Sequence, residues 1–197
     1  LANVEKGQRI LVHGASGAVG TALLQLGKFF ELEIFGTASQ QNHEFVSGLG
    51  AIPIDYKSND FVECIEYLTE NGVDVVFDPI GGKNFNRSLK ALKYGGKLIA
   101  FGFYNAVMDN GGSAIFDFIK LFFWNILPNR KTTKFYSIGS LREKKPVWFK
   151  EDLTKLFDLL LEGRINPVIA DQYPLEQAKE VHRAIENKSL KGKIVFN

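Results

Sequence analysis

Residues 9–30 read RILVHGASGAVGTALLQLGKFF, a short apolar run that breaks into three evenly spaced glycines and then resumes with apolar residues at helical spacing. Ile10, Leu11 and Val12 predict a buried strand, while Leu23, Leu26 and Phe29 or Phe30 recur at intervals of three and four, as one face of a helix does. Gly14, Gly17 and Gly20 lie between them. A strand that turns sharply into a helix gathers unpaired backbone N–H groups and the positive end of the helix dipole at one point, which suits a phosphate. Glycines there remove the side chains that would hold a pyrophosphate away.

Outward from this turn the pattern repeats. LEIFGTA predicts a second strand and HEFVSGLG a short helix ended by glycine; AIPIDY is a third strand, and Phe61, Ile65 and Leu68 mark a helix ending near Gly72. VDVVFDPIGG is a fourth strand with its turn, Phe85, Leu89 and Leu92 a helix stopped at Gly95 and Gly96, KLIAFGF a fifth strand and KFYSIGS a sixth. The strand runs are nearly continuous rather than alternating, as in parallel strands covered on both faces. The fold class is therefore α/β, a Rossmann-type doubly wound parallel six-stranded sheet. From about Ser140 the pattern changes: EDLTKLFDLLLEG predicts a helix, INPVIADQYP an extended piece, LEQAKEVHRAIEN a helix with a face of Leu175, Ala178, Val181 and Ile185, and GKIVFN a last strand. Residues 1–140 read as a nucleotide-binding domain and 141–197 as a C-terminal return segment.

The strand ends carry the next signals. An acidic side chain after the second strand would accept from the ribose hydroxyls of NAD and repel the extra phosphate of NADP. Here that end reads GTASQQNH, with Thr37, Ser39, Gln40, Gln41, Asn42 and His43 and no carboxylate before Glu44, which favours NADP, although no lysine or arginine stands there to pair the phosphate. Tyr56 and Lys57 end the third strand near the same pocket. FDPIGG and FGFY close the fourth and fifth strands, so Asp78, Pro79, Ile80, Phe101, Gly102 and Phe103 can face a nicotinamide. Asp78, ahead of Pro-Ile-Gly-Gly, reads as a turn-former rather than a catalytic acid. His13, His43 and His182 are scattered, and with one cysteine no metal-ligand cluster is visible.

Composition narrows the classes. The chain has 197 residues, 45% of them apolar, and a net charge of +2, too small to argue for nucleic acid or an anionic surface. Cys64 cannot form an intramolecular disulfide and falls in the helical pattern FVECIEYL, so a small thiol in a reducing, cytoplasmic compartment is the reading. No secretory signal opens the chain. It starts without methionine and enters its first strand after LANVEKGQ, as a piece of a longer protein would. The most apolar window, IFDFIKLFFWNIL at residues 115–127, carries Asp117 and Lys120 and falls short of the roughly 20 residues of a spanning helix, so no transmembrane segment is expected. It reads as a packing or lid helix, with a substrate wall or dimer surface of Phe118, Phe122, Phe123 and Trp124 as the sharper alternative.

VHGASGAVG, GTAS, VDVVFDPIGG, GGKLIAFGF and GKIVF, in this order and spacing, resemble the medium-chain dehydrogenase/reductase superfamily, specifically its zinc-independent quinone oxidoreductase branch. The turn from Gly14 to Gly20 matches that branch, whereas zinc alcohol dehydrogenases usually carry a third glycine nearer the first. The resemblance implies an NADPH-dependent reductase of quinones, enones or similar conjugated carbonyls, with NAD as the other possible cofactor. It implies a pyrophosphate on the backbone of Ser16, Gly17, Ala18 and Val19, an adenosine phosphate near Ser39, Asn42 and Tyr56, and a nicotinamide beside Ile80, Phe101, Gly102 and Phe103. It also implies a homodimer paired through the edge strand from Phe135 to Ser140. Two departures stand out: the family usually has a lysine at or next to Asn42, and its members begin with a GroES-like barrel that is absent here and supplies much of the substrate pocket. The chain alone is therefore expected to lack hydride transfer, with its C-terminal elements built to pack on that barrel and exposed apolar surface there prone to self-association.

A short-chain dehydrogenase can share the glycine turn but needs a tyrosine with a lysine four residues on. Tyr56, Tyr67, Tyr94, Tyr104, Tyr136 and Tyr173 are instead followed at that spacing by Asp60, Asn71, Leu98, Met108, Ser140 and Gln177. A non-catalytic nucleotide sensor on the same fold is the remaining alternative.

Overall fold

In the computed structural model, which describes residues 1–104, 119, 121–126, 130–186 and 192–197, the opening run forms β1 (Arg9–His13), and the helix after the glycine turn is α1 (Ala18–Phe29). Then come β2 (Glu33–Ala38), α2 (His43–Gly48), β3 (Ile52–Asp55), α3 (Phe61–Thr69), β4 (Val73–Asp78), α4 (Lys83–Ala91), β5 (Leu92–Ala100) and β6 (Thr132–Phe135). These six strands pair in parallel in the order β3-β2-β1-β4-β5-β6. The chain winds outward from β1 through β2 and β3, then crosses back to add β4 on the other side of β1. The expected doubly wound sheet is present, and its topological switch lies between β1 and β4.

Both faces of the sheet are covered, which is why the strand sequences do not alternate. On one face Leu11, Phe35, Val76 and Leu98 pack with Phe61, Ile65 and Phe85 of α3 and α4. On the other, Ile10, Val12, Ile34, Val75 and Ile99 pack with Leu24 of α1 and Val46 of α2. Asp60 caps α3, accepting from Val62 N–H at 2.8 Å.

Three boundaries differ from the sequence reading. The buried stripe of α1 is Gly20, Thr21, Leu24 and Gly27, not Leu23, Leu26 and Phe29 or Phe30. Small residues let the helix lie close on the sheet: a β-carbon at Gly27 would stand 2.8 Å from Ile34 Cδ1, and one at Gly20 only 2.2 Å from the Gly14 carbonyl oxygen. The larger side chains then occupy the flanks. Leu92 belongs to β5, not to the preceding helix, because it is extended (φ −76°, ψ 138°) and pairs with Val73 before a register shift. The sixth strand ends at Phe135, whereas Ile138, Gly139 and Ser140 open α5 (Ile138–Lys144), whose cap Ser137 accepts from Ser140 N–H. Of the expected pairing edge from Phe135 to Ser140, only Phe135 is strand, so the edge on offer is Thr132–Phe135.

Beyond α5 the chain forms α6 (Pro146–Leu161), β7 (Ile169–Tyr173), α7 (Ala178–Glu186) and β8 (Lys193–Phe196), with β7 and β8 paired in parallel. Val181 is the buried residue of the expected α7 face, while Leu175 and Ile185 are exposed. No residue of α6 is fully buried, and Val147, Trp148, Phe157 and Leu161 stand open. The return is tied to α1 by paired hydrogen bonds between Gln25 and Asn166, at 2.7 and 2.6 Å, and by Arg164 over the Phe29 ring. It reaches the glycine turn itself, where Gly192 N–H donates to the Ser16 carbonyl at 3.1 Å. Residues 115–118, 120 and 127 of the apolar window, Phe118 included, lie outside the described residues. Phe122 and Phe123 are exposed there, and Trp124 is half-buried against the core. Among the described residues no helix is long and apolar enough to cross a membrane.

The close approach of α1 predicts that Gly20→Ala destabilises the chain by about 1–3 kcal/mol, because a backbone oxygen must move. Gly48→Ala, where a β-carbon meets nothing within 4 Å inside a helix, is expected to be neutral or stabilising by about 0.4–1 kcal/mol. Urea unfolding of the two variants measures the contrast.

Candidate functional site

Every strand of the large sheet ends on the same edge, which gathers the turns after β1, β2, β3, β4 and β5. The turn after β1 is closed by Gly17 N–H donating to the Gly14 carbonyl at 3.0 Å, and Ala15 N–H donates to the Thr37 carbonyl on β2. Gly14 has φ +66°, a conformation that favours glycine, and a side chain there would project into open space. The first intrahelical bond of α1 is made by Thr21 N–H to the Gly17 carbonyl. The amides of Ala18, Val19 and Gly20 therefore precede the helical ladder and can meet an external acceptor. No acidic residue stands in that first turn, and Gly17 and Val19 are exposed. An open, glycine-rich helix start with no carboxylate in its first turn fits a pyrophosphate.

Two of the three expected adenosine-side residues, Ser39 and Asn42, form one cluster with Ser16 of the turn. Asn42 Nδ2 donates to Ser16 Oγ at 3.2 Å and to Ser39 Oγ at 3.3 Å, so this buried amide ties the glycine turn to the end of β2. Tyr56 stands half exposed after β3, and no hydrogen bond joins it to that cluster among the described residues. Sequence reading passed over Asp55, whose backbone pairs with Ala38 across β2 and β3. Its carboxylate accepts from Ser58 Oγ at 2.5 Å and Lys57 N–H at 3.1 Å, and these bonds, that to Ser58 foremost, hold its pKa below the usual value.

On the other side of the switch, the turns after β4 and β5 run together. Phe101 N–H donates to the Asp78 carbonyl and Tyr104 N–H to the Pro79 carbonyl. A β-carbon at Gly102 would lie 2.8 Å from the Pro79 oxygen, so glycine permits that approach. Ile80, Phe101 and Gly102 are partly exposed. The ring of Phe103 turns inward, stacked on Phe135 with centroids 4.9 Å apart and edge-on to Phe85.

Beneath the switch lies a polar network that the sequence reading scattered. His13, 1% exposed, places Nδ1 3.1 Å from Thr37 Oγ1 and Nε2 3.1 Å from Ser88 Oγ. Ser88 donates to Asp78 Oδ2 at 2.6 Å, and Asn84 Nδ2 donates to the same oxygen at 2.9 Å. Asp78 Oδ1 accepts from Ile80 and Gly81 N–H, so Asp78 does form the turn. Burial pushes the pKa of His13 down, opposed by Asp78 and aided by Arg87, which pairs with Asp60 and lies over the Phe61 ring.

Among the described residues no three His, Cys, Asp or Glu side chains come together as metal ligands. Cys64 lies half-buried on α3, its thiol pKa raised by burial and by Asp60 and Glu63.

A family described as zinc-binding dehydrogenase matches residues 49–196. The synaptic vesicle membrane protein VAT-1 homolog of Danio rerio is 33% identical over 96% of this chain and 40% of its own length. A quinone oxidoreductase of Rattus norvegicus is 29% identical over 99% of this chain and 56% of its own. The chain thus spans about half the length of the curated relatives it matches. Among solved structures, an Escherichia coli quinone oxidoreductase complexed with NADPH superposes with a TM-score of 0.81, at 24% identity, over 98% of this chain and 58% of that one.

The depressed pKa of His13 has a measurable consequence. The unfolded imidazole binds a proton near its ordinary pKa of 6.5, whereas the folded one binds it only at lower pH. Stability from this group is therefore intact above about pH 6.5 and is lost as pH falls from there toward the folded pKa. Denaturant midpoints between pH 7.5 and 5 are expected to fall, and His13→Gln is expected to flatten that slope.

Proposed function

The chain belongs to the medium-chain dehydrogenase/reductase superfamily, in its quinone oxidoreductase-like branch, and from that premise we propose that it is the NADPH-binding part of a zinc-independent oxidoreductase that reduces quinones, enones or similar conjugated carbonyls. The observation that carries this reading is the open glycine turn at the switch point, where the amides of Ala18, Val19 and Gly20 precede the hydrogen-bond ladder of α1. NADPH bound there would supply the hydride. The amides of Ser16 to Val19 hold its pyrophosphate, and Ser39, Asn42 and Tyr56 face the adenosine phosphate. Asn42 acts chiefly by orienting Ser16 and Ser39. Ile80, Phe101 and Gly102 line the nicotinamide side with the backbone of Phe103.

NADPH is preferred over NADH in this reading because no carboxylate follows β2 directly and Asp55 turns its oxygens to Ser58 and Lys57. The NADPH in the Escherichia coli neighbour supports it. Zinc independence is supported by the donor chemistry, since the one cysteine sits half-buried in the packing of α3. Residues 1–140 act as the nucleotide-binding unit and 141–197 as the return. The whole protein works in the reducing cytoplasm as a homodimer paired through β6, and a further domain completes the substrate pocket, so the chain alone binds cofactor without turnover.

Titration with NADPH and NADH, followed by cofactor fluorescence and thermal shift, tests the reading. NADPH at about a hundred times its dissociation constant should stabilise by about 2.7 kcal/mol, raising the midpoint by roughly 5–10 °C. NADH should bind more weakly, and Gly17→Asp should abolish both. Binding of neither cofactor to the wild-type chain would overturn the proposal.

A further inference from the structure

The buried network below the switch point has a direction. Ser88 gives its one hydroxyl proton to Asp78, so its oxygen accepts from His13 Nε2–H. His13 Nδ1 then accepts from the Thr37 hydroxyl, whose oxygen in turn accepts Gly14 N–H at 3.3 Å. Each donor is used once, and a neutral imidazole is the form that fits. The chain of bonds runs from the first amide of the glycine turn, through β2, β1 and α4, to the carboxylate that shapes the turn after β4. His13 is fixed further by edge-on contact with Phe61, ring centroids 4.6 Å apart.

Resting on the nucleotide-binding reading, we propose that Thr37, His13, Ser88 and Asp78 form a positioning strut that sets the distance between the pyrophosphate turn after β1 and the nicotinamide-side turn after β4. None of the four is a catalytic residue; all four are buried, and they act through Gly14 on one side and through Ile80 and Gly81 on the other. A dinucleotide grips both turns at once and so senses their separation, whereas a ligand confined to the adenosine side does not. Buried hydrogen-bond chains that support a binding shell affect affinity through geometry.

The test uses two probes and a double-mutant cycle. NADPH spans both turns, and adenosine 2′,5′-bisphosphate reaches only the adenosine side. Ser88→Ala removes the middle link while leaving Asp78 its bonds from Ile80, Gly81 and Asn84; Thr37→Val removes the far link at nearly constant volume. Each single variant is expected to weaken NADPH about tenfold and the bisphosphate by less than about twofold, and the double variant to weaken NADPH no more than the stronger single one. Circular dichroism and thermal melts confirm that each variant is folded. Equal loss for both probes, additive losses, or no loss of NADPH affinity would reduce the network to a structural one and overturn the proposal. Failure of the wild-type chain to bind NADPH would remove the nucleotide-binding reading and this proposal with it, an outcome distinct from wild-type binding with insensitive variants.

Discussion

The carbonyl oxygen of Gly14 and the absent side chain of Gly20 share one space. That oxygen accepts Gly17 N–H to close the turn and lies 2.2 Å from where a β-carbon of residue 20 would be. Because residue 20 has none, α1 can begin directly over the end of β1. The same economy continues along the interface: a β-carbon at Gly27 would press on Ile34, and one at Gly36 would stand 2.7 Å from Ala15 Cβ. The helix position follows from this stripe of missing atoms. Its N-terminus is then aimed at the edge where the strands end, which a helix held farther off the sheet by larger residues would not achieve.

The sheet was legible because its strands are covered on both faces and so appear as continuous apolar runs bounded by glycine. Strand existence and order of elements followed from that, and so did the turn that carries the candidate site. What misled was size. Leu23, Leu26 and Phe29 are the larger apolar residues of α1, and periodicity weights them, yet the tight interface selects Gly20, Thr21 and Gly27. Leu92 likewise fits a helical stripe after Phe85 and Leu89, but its pairing with Val73 draws it into the sheet. At β6, Ser137 is a helix cap hidden in a run that otherwise resembles a strand.

The site was legible where chemistry depends on backbone and obscure where it depends on buried side chains far apart in sequence. Glycine spacing marks the turn after β1 directly. The link from His13 to Ser88 joins the first strand to the fourth long helix, and no local pattern announces it. A polar residue closing an otherwise apolar strand was the available signal: His13 follows Ile10, Leu11 and Val12, and a buried imidazole needs partners on both nitrogens. Asp55 was missed for a related reason, since its nearness to the end of β2 is a matter of strand register.

The hydrogen bond from Gly192 to Ser16 joins nearly the last residues of the chain to nearly the first turn. A loop that long closes at a larger entropic cost than any βαβ crossover in the sheet, so the contact is expected after the local pairings during folding. On a ribosome the glycine turn emerges well before Gly192 and waits for that residue before gaining this support. The order of synthesis thus delays the final shape of the glycine turn until residue 192 has been added.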